Sequence, residues 1–447
     1  MEPTPPTPPT PPTSPAPPAP RRWWTGPFDV EHLAWSAVTA VRDAAAELAA
    51  ARGLDLTIDT TAELVAASFA ALENLRMDGH APTAWGELSG FVAARDGWVR
   101  LHGNYPHHAT ILREVLGADR ASLERAVSHR DAAEVEHAIA HAGGIAVAVR
   151  TREEWEAHPH ARATAEAPWS EVVVRGERPA LGHVGAVRVA GEEAAGGRDR
   201  APRSPLRGVR VLDLTRVIAG PTGSQLLACL GADVLRLDPP HRPEILDQHR
   251  STGMGKRSAV VDLRREAERV RTLAAGADVI LDGYRPGALA GLGLGTADLE
   301  ELAPQAILVS LSAWGETGPW GSRAGFDSIV QAATGIADCC GTSDHPGALP
   351  VQALDHTTGH LLAAHVLEAL ARRQAATIHM NLLGAARTLL AAPPAPATPP
   401  TPLEVPRVRF DEVDGSLDLV PPPLLIDGRT VERPVGRYGA ARPEWIR

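Results

Sequence analysis

The sequence predicts an α/β protein: a doubly wound parallel sheet in the second half of the chain, with a smaller, mainly helical module placed N-terminal to it. Three observations lead there. Between residues 209 and 311, short runs that are apolar on both faces alternate with helical patterns, and strands buried on both faces belong to parallel sheets covered by helices. Residues 23–190 instead carry apolar positions at helical spacing over most of their length. Proline-rich stretches at 1–20 and 393–402 cannot build a core and set off the two ends.

Residues 1–22 read as a disordered tail, since Pro, Thr, Ser and Ala favour polyproline II over packed structure. The module of residues 23–190 opens with helical patterns over His32–Arg52 and Thr61–Met77. Asp96-Gly97 between two apolar runs marks a hairpin. Helical patterns return at Ala109–Leu116, Ala121–Ala126 and Ala132–His141, the last closed by Gly143-Gly144 as a helix C-terminus should be. Residues 191–206 lack periodicity and read as a linker.

The second domain spans residues 207–390. Its strands are expected at Val209–Leu214, Asp233–Asp238, Ser258–Leu263, Asp278–Asp282 and Ala306–Leu311, with helices at Gly220–Leu230, Arg265–Ala275 and Thr296–Leu302. Ligands of such sheets sit beyond the carboxyl ends of the strands. Residues 391–447 read as a proline-rich linker followed by an extended arm with short strand-like pieces such as Leu424–Gly428.

Composition narrows the function. The 447 residues carry a formal charge of -10 and no long basic run, which argues against a nucleic-acid partner. Three cysteines, Cys229, Cys339 and Cys340, make no disulfide framework, and the adjacent pair lacks metal-site or redox spacing, which fits a reducing cytosol. No apolar run reaches membrane-spanning length, and the N-terminus lacks signal-peptide features, so the expectation is a soluble cytoplasmic protein.

Two segments carry candidate chemistry. In Pro350-Val-Gln-Ala-Leu-Asp-His-Thr-Thr-Gly-His360, Asp355 stands at the mouth of an apolar helix, where free N–H groups and the helix dipole should keep it ionised and oriented. Such an Asp is either a helix cap or a nucleophile. The turn Ile218-Ala-Gly-Pro-Thr-Gly-Ser224 holds only half of a dinucleotide fingerprint, so a nicotinamide or flavin cofactor is not expected despite Asp238 at the end of the second strand. His137 with His141, and His356 with His360, are each four apart, but neither pair brings a third metal ligand, and no metal is expected. Asn104-Tyr-Pro-His-His108 reads either as a pocket wall or as a solvated loop.

Read together, the turns resemble a known family. Gly208-Val-Arg-Val-Leu-Asp-Leu-Thr-Arg-Val-Ile-Ala-Gly-Pro221, Gly255-Lys-Arg-Ser-Ala-Val-Val-Asp-Leu263, Asp278-Val-Ile-Leu-Asp-Gly-Tyr-Arg-Pro-Gly-Ala-Leu289, Ser310-Leu-Ser-Ala-Trp-Gly-Glu-Thr-Gly-Pro319 and Gly325-Phe-Asp327 are similar, in order, to the CaiB/BaiF group of family III CoA-transferases. The resemblance implies a Rossmann-like fold and an enzyme that moves CoA between carboxylic acids through an aspartyl-CoA thioester. The catalytic Asp falls on Asp355, and CoA is a substrate rather than a resident cofactor. For CoA binding the resemblance points to Val217, Ile218, Ala219, Lys256, Arg257, Tyr284 and Arg285, and it implies a homodimer. Two departures stand out: Gly283 and Gly291 replace an Asn and an Arg of some members.

The module order also departs. Asp96–Asn104, Ala142–Val147 and Arg152–Arg162 resemble segments that ordinarily follow the catalytic half, so the chain reads as permuted or fused. After Arg373, Gln374–Met380 replaces the usual Gly-rich step into the next strand. Two rivals accompany the transferase reading. One is a non-catalytic CoA-binding or partner protein; the other is an α-methylacyl-CoA racemase, disfavoured because Phe326 stands where those relatives carry a proton-transferring His.

Overall fold

The computed structural model describes residues 22–83, 85–181, 204–412 and 415–446. The tail expected at 1–22 lies almost wholly outside them, and so does most of the linker expected at 191–206. The central element is a seven-stranded sheet: β1 (Ser170–Glu177), β2 (Arg210–Leu214), β3 (Asp233–Asp238), β4 (Arg257–Val260), β5 (Val279–Asp282), β6 (Ile307–Ser312) and β7 (Gln374–Asn381). In space they run β1-β7-β6-β5-β2-β3-β4. Strands β2 to β7 are mutually parallel, and β1 joins β7 antiparallel.

The parallel strands form where the sequence is apolar on both faces. Val211, Leu212 and Leu214 in β2 are buried, and in register Val211 lies beside Val279 and Leu212 beside Ile280. The chain steps outward from β2 to β4, returns to β5 on the other side of β2, and continues to β7. The topological switch point therefore falls between β2 and β5, where a crevice opens beyond the strand ends.

Two elements differ from expectation. β1, Ser-Glu-Val-Val-Val-Arg-Gly-Glu, was not anticipated as part of the sheet and makes it mixed rather than wholly parallel. Its Val172, Val173 and Val174 are exposed, so it lacks the double-sided burial that marks its neighbours. Gln374–Met380, expected to replace the step into the next strand, belongs to that strand itself. It forms β7, buried along most of its length, and leads directly into the helix Leu382–Ala391.

Three helices position the site around the sheet's upper edge: α1 (Val30–Ala51), α2 (Ala219–Cys229) and α4 (Ala353–Ala371), with the short α3 (Asp327–Ala333) preceding α4. Helix α4 is apolar nearly all round, the pattern of a helix enclosed on every side, and it is buried from Ala353 to His360. It packs on α2 from its own half and on α1 from the N-terminal module. The α2–α4 crossing is close enough that a Cβ on Gly359 would stand 2.2 Å from the Ala219 carbonyl oxygen, so only glycine fits there.

In the N-terminal module, strands Gly90–Ala93, Trp98–Leu101 and Ala146–Ala148 make a small antiparallel sheet with the expected hairpin at Asp96-Gly97. The helix Ala132–His141 matches its expected bounds. The C-terminal arm ties both halves together. Its strands pair with Arg76–Met77 and with Ile58–Asp59, and its last residues bridge to Met254 and Ala259, covering the β4 edge. No helix among the described residues is long and apolar enough to cross a membrane.

Burying neutral imidazoles ties this core to pH. Burial pushes His356 down to about 3 and His360 to about 4, and both lie against Phe69. In the unfolded chain they take up protons below about 6.5. Their contribution is therefore complete above that pH and is lost as pH falls towards 4 and 3, at about 2 kcal/mol each by pH 5. Thermal melts should show a clear fall in Tm between pH 7 and pH 5. A Tm unchanged over that interval would show that these rings do not govern the acid limb.

Candidate active site

The crevice at the switch point holds a cavity of about 190 Å³. Its walls come from the chain after β2 (Arg216, Val217, Ala219), after β5 (Gly283 to Pro286) and at the end of β6 (Leu311 to Ala313). The N-terminal module closes it with Tyr105, His107 and His108, so Asn104-Tyr-Pro-His-His108 is a pocket wall rather than a solvated loop. Asp355 is the one carboxylate among the described lining residues, and it shares the lining with Arg216, Arg242, Arg285 and Arg323.

Asp355 is not the cap of its helix. Gln352 holds the N-cap position without a side-chain bond, and Asp355 lies in the first turn, 5 % exposed. The N–H groups expected to hold it serve another residue: Asp327 Oδ2 accepts from Leu354 N at 2.8 Å and from Asp355 N at 3.0 Å. Asp327, fully buried, thus caps α4 from the start of α3, and its Oδ1 accepts from Gln331 Nε2. Gln331 Oε1 in turn accepts from Leu349 N at 2.9 Å, which fixes the loop leading into α4.

This arrangement reverses the electrostatic expectation for Asp355. Burial and then the neighbouring Asp327 raise its carboxyl well above the usual range, where the free helix end was expected to keep it readily ionised. Asp327 is also raised, by burial, against the hydrogen bonds from Asp355 N, Gln331 and Leu354 N. A buried guanidinium from the other module, Arg100, acts on Asp327 and is itself pushed down to about 10 by burial. It lies over the rings of Trp85 and Phe91, 4.7 and 4.8 Å from their centroids.

The histidines of the pocket are neutral. Burial, then the nearby arginines, push His107 down to about 4, while burial and His107 push His108 to about 3. Phe326, where a proton-transferring His was looked for, is stacked by His102 at 3.9 Å and met edge-on by His108 at 5.9 Å. His356, beside Asp355 in sequence, points elsewhere: its Nδ1 meets Thr222 Oγ1 at 3.3 Å and its ring meets Phe69.

Of the residues expected to bind CoA, the structure brings Val217, Ala219, Tyr284 and Arg285 into the cavity with Asp355. Ile218 is buried at the α2 N-cap and does not line it. Lys256 and Arg257 are elsewhere. Lys256 is 2 % exposed, donates to Ser224 Oγ at 2.8 Å and Pro221 O at 3.1 Å, and lies 3.5 Å from Asp213. It is the internal partner of a buried carboxylate, not a free cation. Arg257 is clamped on Asp233 at 2.7 and 2.9 Å and on the Glu444 carbonyl, and so fastens the C-terminal arm. Gly283 also has a local reason, since a Cβ there would approach Thr215 Cβ to 3.2 Å. Among the described residues, no three His, Cys, Asp or Glu side chains group as metal ligands.

Sequence reasoning missed Asp327, Arg100, Arg216 and Arg242. Asp327 sits in a motif that was recognised, but its role depends on which helix end lies beside it. Arg216 and Arg242 gave no signal beyond a charge near a strand end.

Residues 206–402 match the sequence profile of CoA-transferase family III. This segment belongs to CoA-transferase family III. Its relatives include a probable fatty acyl-CoA transferase of Mycobacterium tuberculosis, 38% identical over 189 residues, or 39% of this chain and 48% of the relative. The succinyl-CoA:glutarate CoA-transferase of Mus musculus is 35% identical over 215 residues, 42% of this chain and 49% of the relative. The chain thus spans about half the length of the curated relatives it matches. A crystal structure of the Mycobacterium tuberculosis protein aligns at a TM-score of 0.40 and 38% identity over 43% of this chain and 57% of that one. A CaiB/BaiF family protein from Brucella suis aligns at 0.37 and 28% identity over 48% and 65%. The family III segment includes both Asp327 and Asp355.

Proposed function

We propose that this protein moves CoA between carboxylic acids, with Asp355 as the group that carries CoA. The observation that supports it most is a single buried carboxylate lining a cavity together with four arginines, at the switch point of a family III segment. Arg216, Arg242 and Arg285 would meet the phosphates of an acyl-CoA, and the Val217–Ala219 turn with Tyr284 its nucleotide side.

In the proposed reaction Asp355, ionised, attacks the donor thioester carbonyl. The C–S bond breaks, CoA leaves as thiolate, and an acyl-aspartyl anhydride remains. The thiolate then attacks the aspartyl carbonyl, forming the aspartyl-CoA thioester and releasing the donor acid as carboxylate. An acceptor carboxylate reverses both steps, giving the new acyl-CoA and free Asp355. The oxyanions formed on the way need donors other than the Leu354 and Asp355 amides, which Asp327 occupies. The neutral imidazoles of His107 and His108 are the candidates in that wall.

Intact-protein mass spectrometry with a panel of acyl-CoAs, followed by hydroxylamine or borohydride trapping, tests this reading. A CoA adduct mapped to Asp355 is expected with at least one donor. CoA binding by calorimetry without any adduct would favour a non-catalytic role instead. By resemblance we also propose a homodimer, which light scattering at micromolar concentration checks; a single-chain mass would refute it.

One observation favours a second reading, α-proton exchange on an acyl-CoA. His107 and His108 line the same cavity as Asp355 and are held neutral, as a base must be. In D₂O, CoA transfer alone leaves the α-carbon unlabelled, whereas racemisation introduces deuterium there.

A further inference from the structure

The nucleotide-side turn and the N-terminal module meet on one buried carboxylate. Glu244 has no side-chain exposure. Its Oε1 accepts from the Tyr105 hydroxyl and from Ile245 N at 2.9 Å. Its Oε2 accepts from Arg236 Nη2 at 2.7 Å and from Val217 N at 3.0 Å. Arg216 Nε lies 3.8 Å away. Three of these residues, Tyr105, Arg216 and Val217, line the cavity that holds Asp355, whereas Glu244 does not.

Each of the three has a geometry that needs support. Val217 has φ +71°, in the left-handed region that a β-branched residue occupies only where its surroundings enforce it. Tyr105 is the N-cap of the helix Pro106–Leu116, which carries His107 and His108 into the cavity. The Arg216 guanidinium lies over the Tyr105 ring, 4.9 Å from its centroid, and donates to Pro243 O at 2.8 Å. Tyr105 and Glu244 are 139 residues apart, so their bond joins the two halves of the chain at the pocket.

We propose that Glu244 is a positioning residue: through Tyr105 and Val217 it makes docking of the N-terminal module and the shape of the nucleotide-side turn a single event. Glu244 touches no reacting atom. Burial works against its charge, but Arg236 and Arg216 hold it in the anionic form. The inference rests on the CoA-transfer reading only in naming the ligand that the turn receives.

The test uses the full chain with Tyr105→Phe, Glu244→Gln and the double variant, read in two ways. The first is hydrogen exchange of the segment 216–219. Tyr105→Phe should speed exchange there, although no hydrogen bond joins Tyr105 to that turn, and the double variant should be no worse than Glu244→Gln alone. The second is CoA affinity by calorimetry, expected to weaken about tenfold in Tyr105→Phe, with the loss appearing in the donor KM rather than in kcat. Tyr105→Phe keeps the ring and its packing, so a folded protein is expected even where Glu244→Gln is unstable. Unchanged exchange at 216–219 in Tyr105→Phe, or effects that simply add, would overturn the coupling. If the wild type does not bind CoA at all, the functional reading falls, and the exchange data still decide the role of Glu244.

Discussion

Asp355→Asn is expected to lower CoA transfer by about 10⁴-fold or more, the scale seen when a covalent group is removed from an enzyme site. CoA binding should survive, because the cavity's arginines and its nucleotide-side turn are untouched. The same substitution should raise stability. Asp355 has a carboxyl raised by burial and by Asp327, so keeping it as a carboxylate opposes folding. A group with a raised folded-state pKa favours the fold below the unfolded value and loses that contribution as pH rises through the folded one. A neutral amide of the same shape removes that loss, and Asp355→Asn should melt at a higher temperature than the wild type at pH 7.5. Loss of activity with gain of stability is the signature of a group kept for chemistry rather than for folding. Kinetics, calorimetry and thermal melts on one preparation check all three. A kcat within tenfold of the wild type would remove Asp355 from the mechanism, and a lower Tm would show that the carboxylate serves the fold.

The sequence made some of this legible and some not, for physical reasons. Strands such as Val211–Leu214 and Val279–Leu281 are apolar on both faces because helices cover both sides of the sheet, and that burial leaves a mark in composition alone. β1 leaves no such mark, because it is an edge strand with three exposed valines and its pairing with β7 is set by tertiary structure. Asp355 was legible through its motif, but not its electrostatics, because the residue that takes the helix N–H groups lies 28 positions earlier. Lys256 and Arg257 illustrate the opposite limit. A cation at a strand end reads as a phosphate ligand, and only the fold reveals that Asp213 and Asp233 already hold these two. Where an isolated residue type implies a role, the error comes from its partner; where a run of residues implies burial, the inference holds.

Asp327 offers the sharpest separation between structure and chemistry. Asp327→Ala leaves the amides of Leu354 and Asp355 without an acceptor inside a closed core and deprives Gln331 Nε2 of its acceptor. Each buried donor left unpaired costs about 1–3 kcal/mol, so a net destabilisation of about 3 kcal/mol is expected even after relief of the repulsion with Asp355. Chemical denaturation measures it. Asp327→Asn is the informative partner, because its amide oxygen can still accept from both N–H groups, with only the Gln331 bond lost, while the charge is gone. Asp327 raises the Asp355 carboxyl, so the neutral side chain should lower it, and the nucleophile should ionise at lower pH. For the wild type, kcat/KM should rise with pH as Asp355 loses its proton. In Asp327→Asn the rising limb should move to lower pH, whereas a purely structural cap would reduce the rate equally at every pH. A profile that keeps its midpoint while losing amplitude would show that Asp327 holds α4 in place but does not govern the ionisation of Asp355.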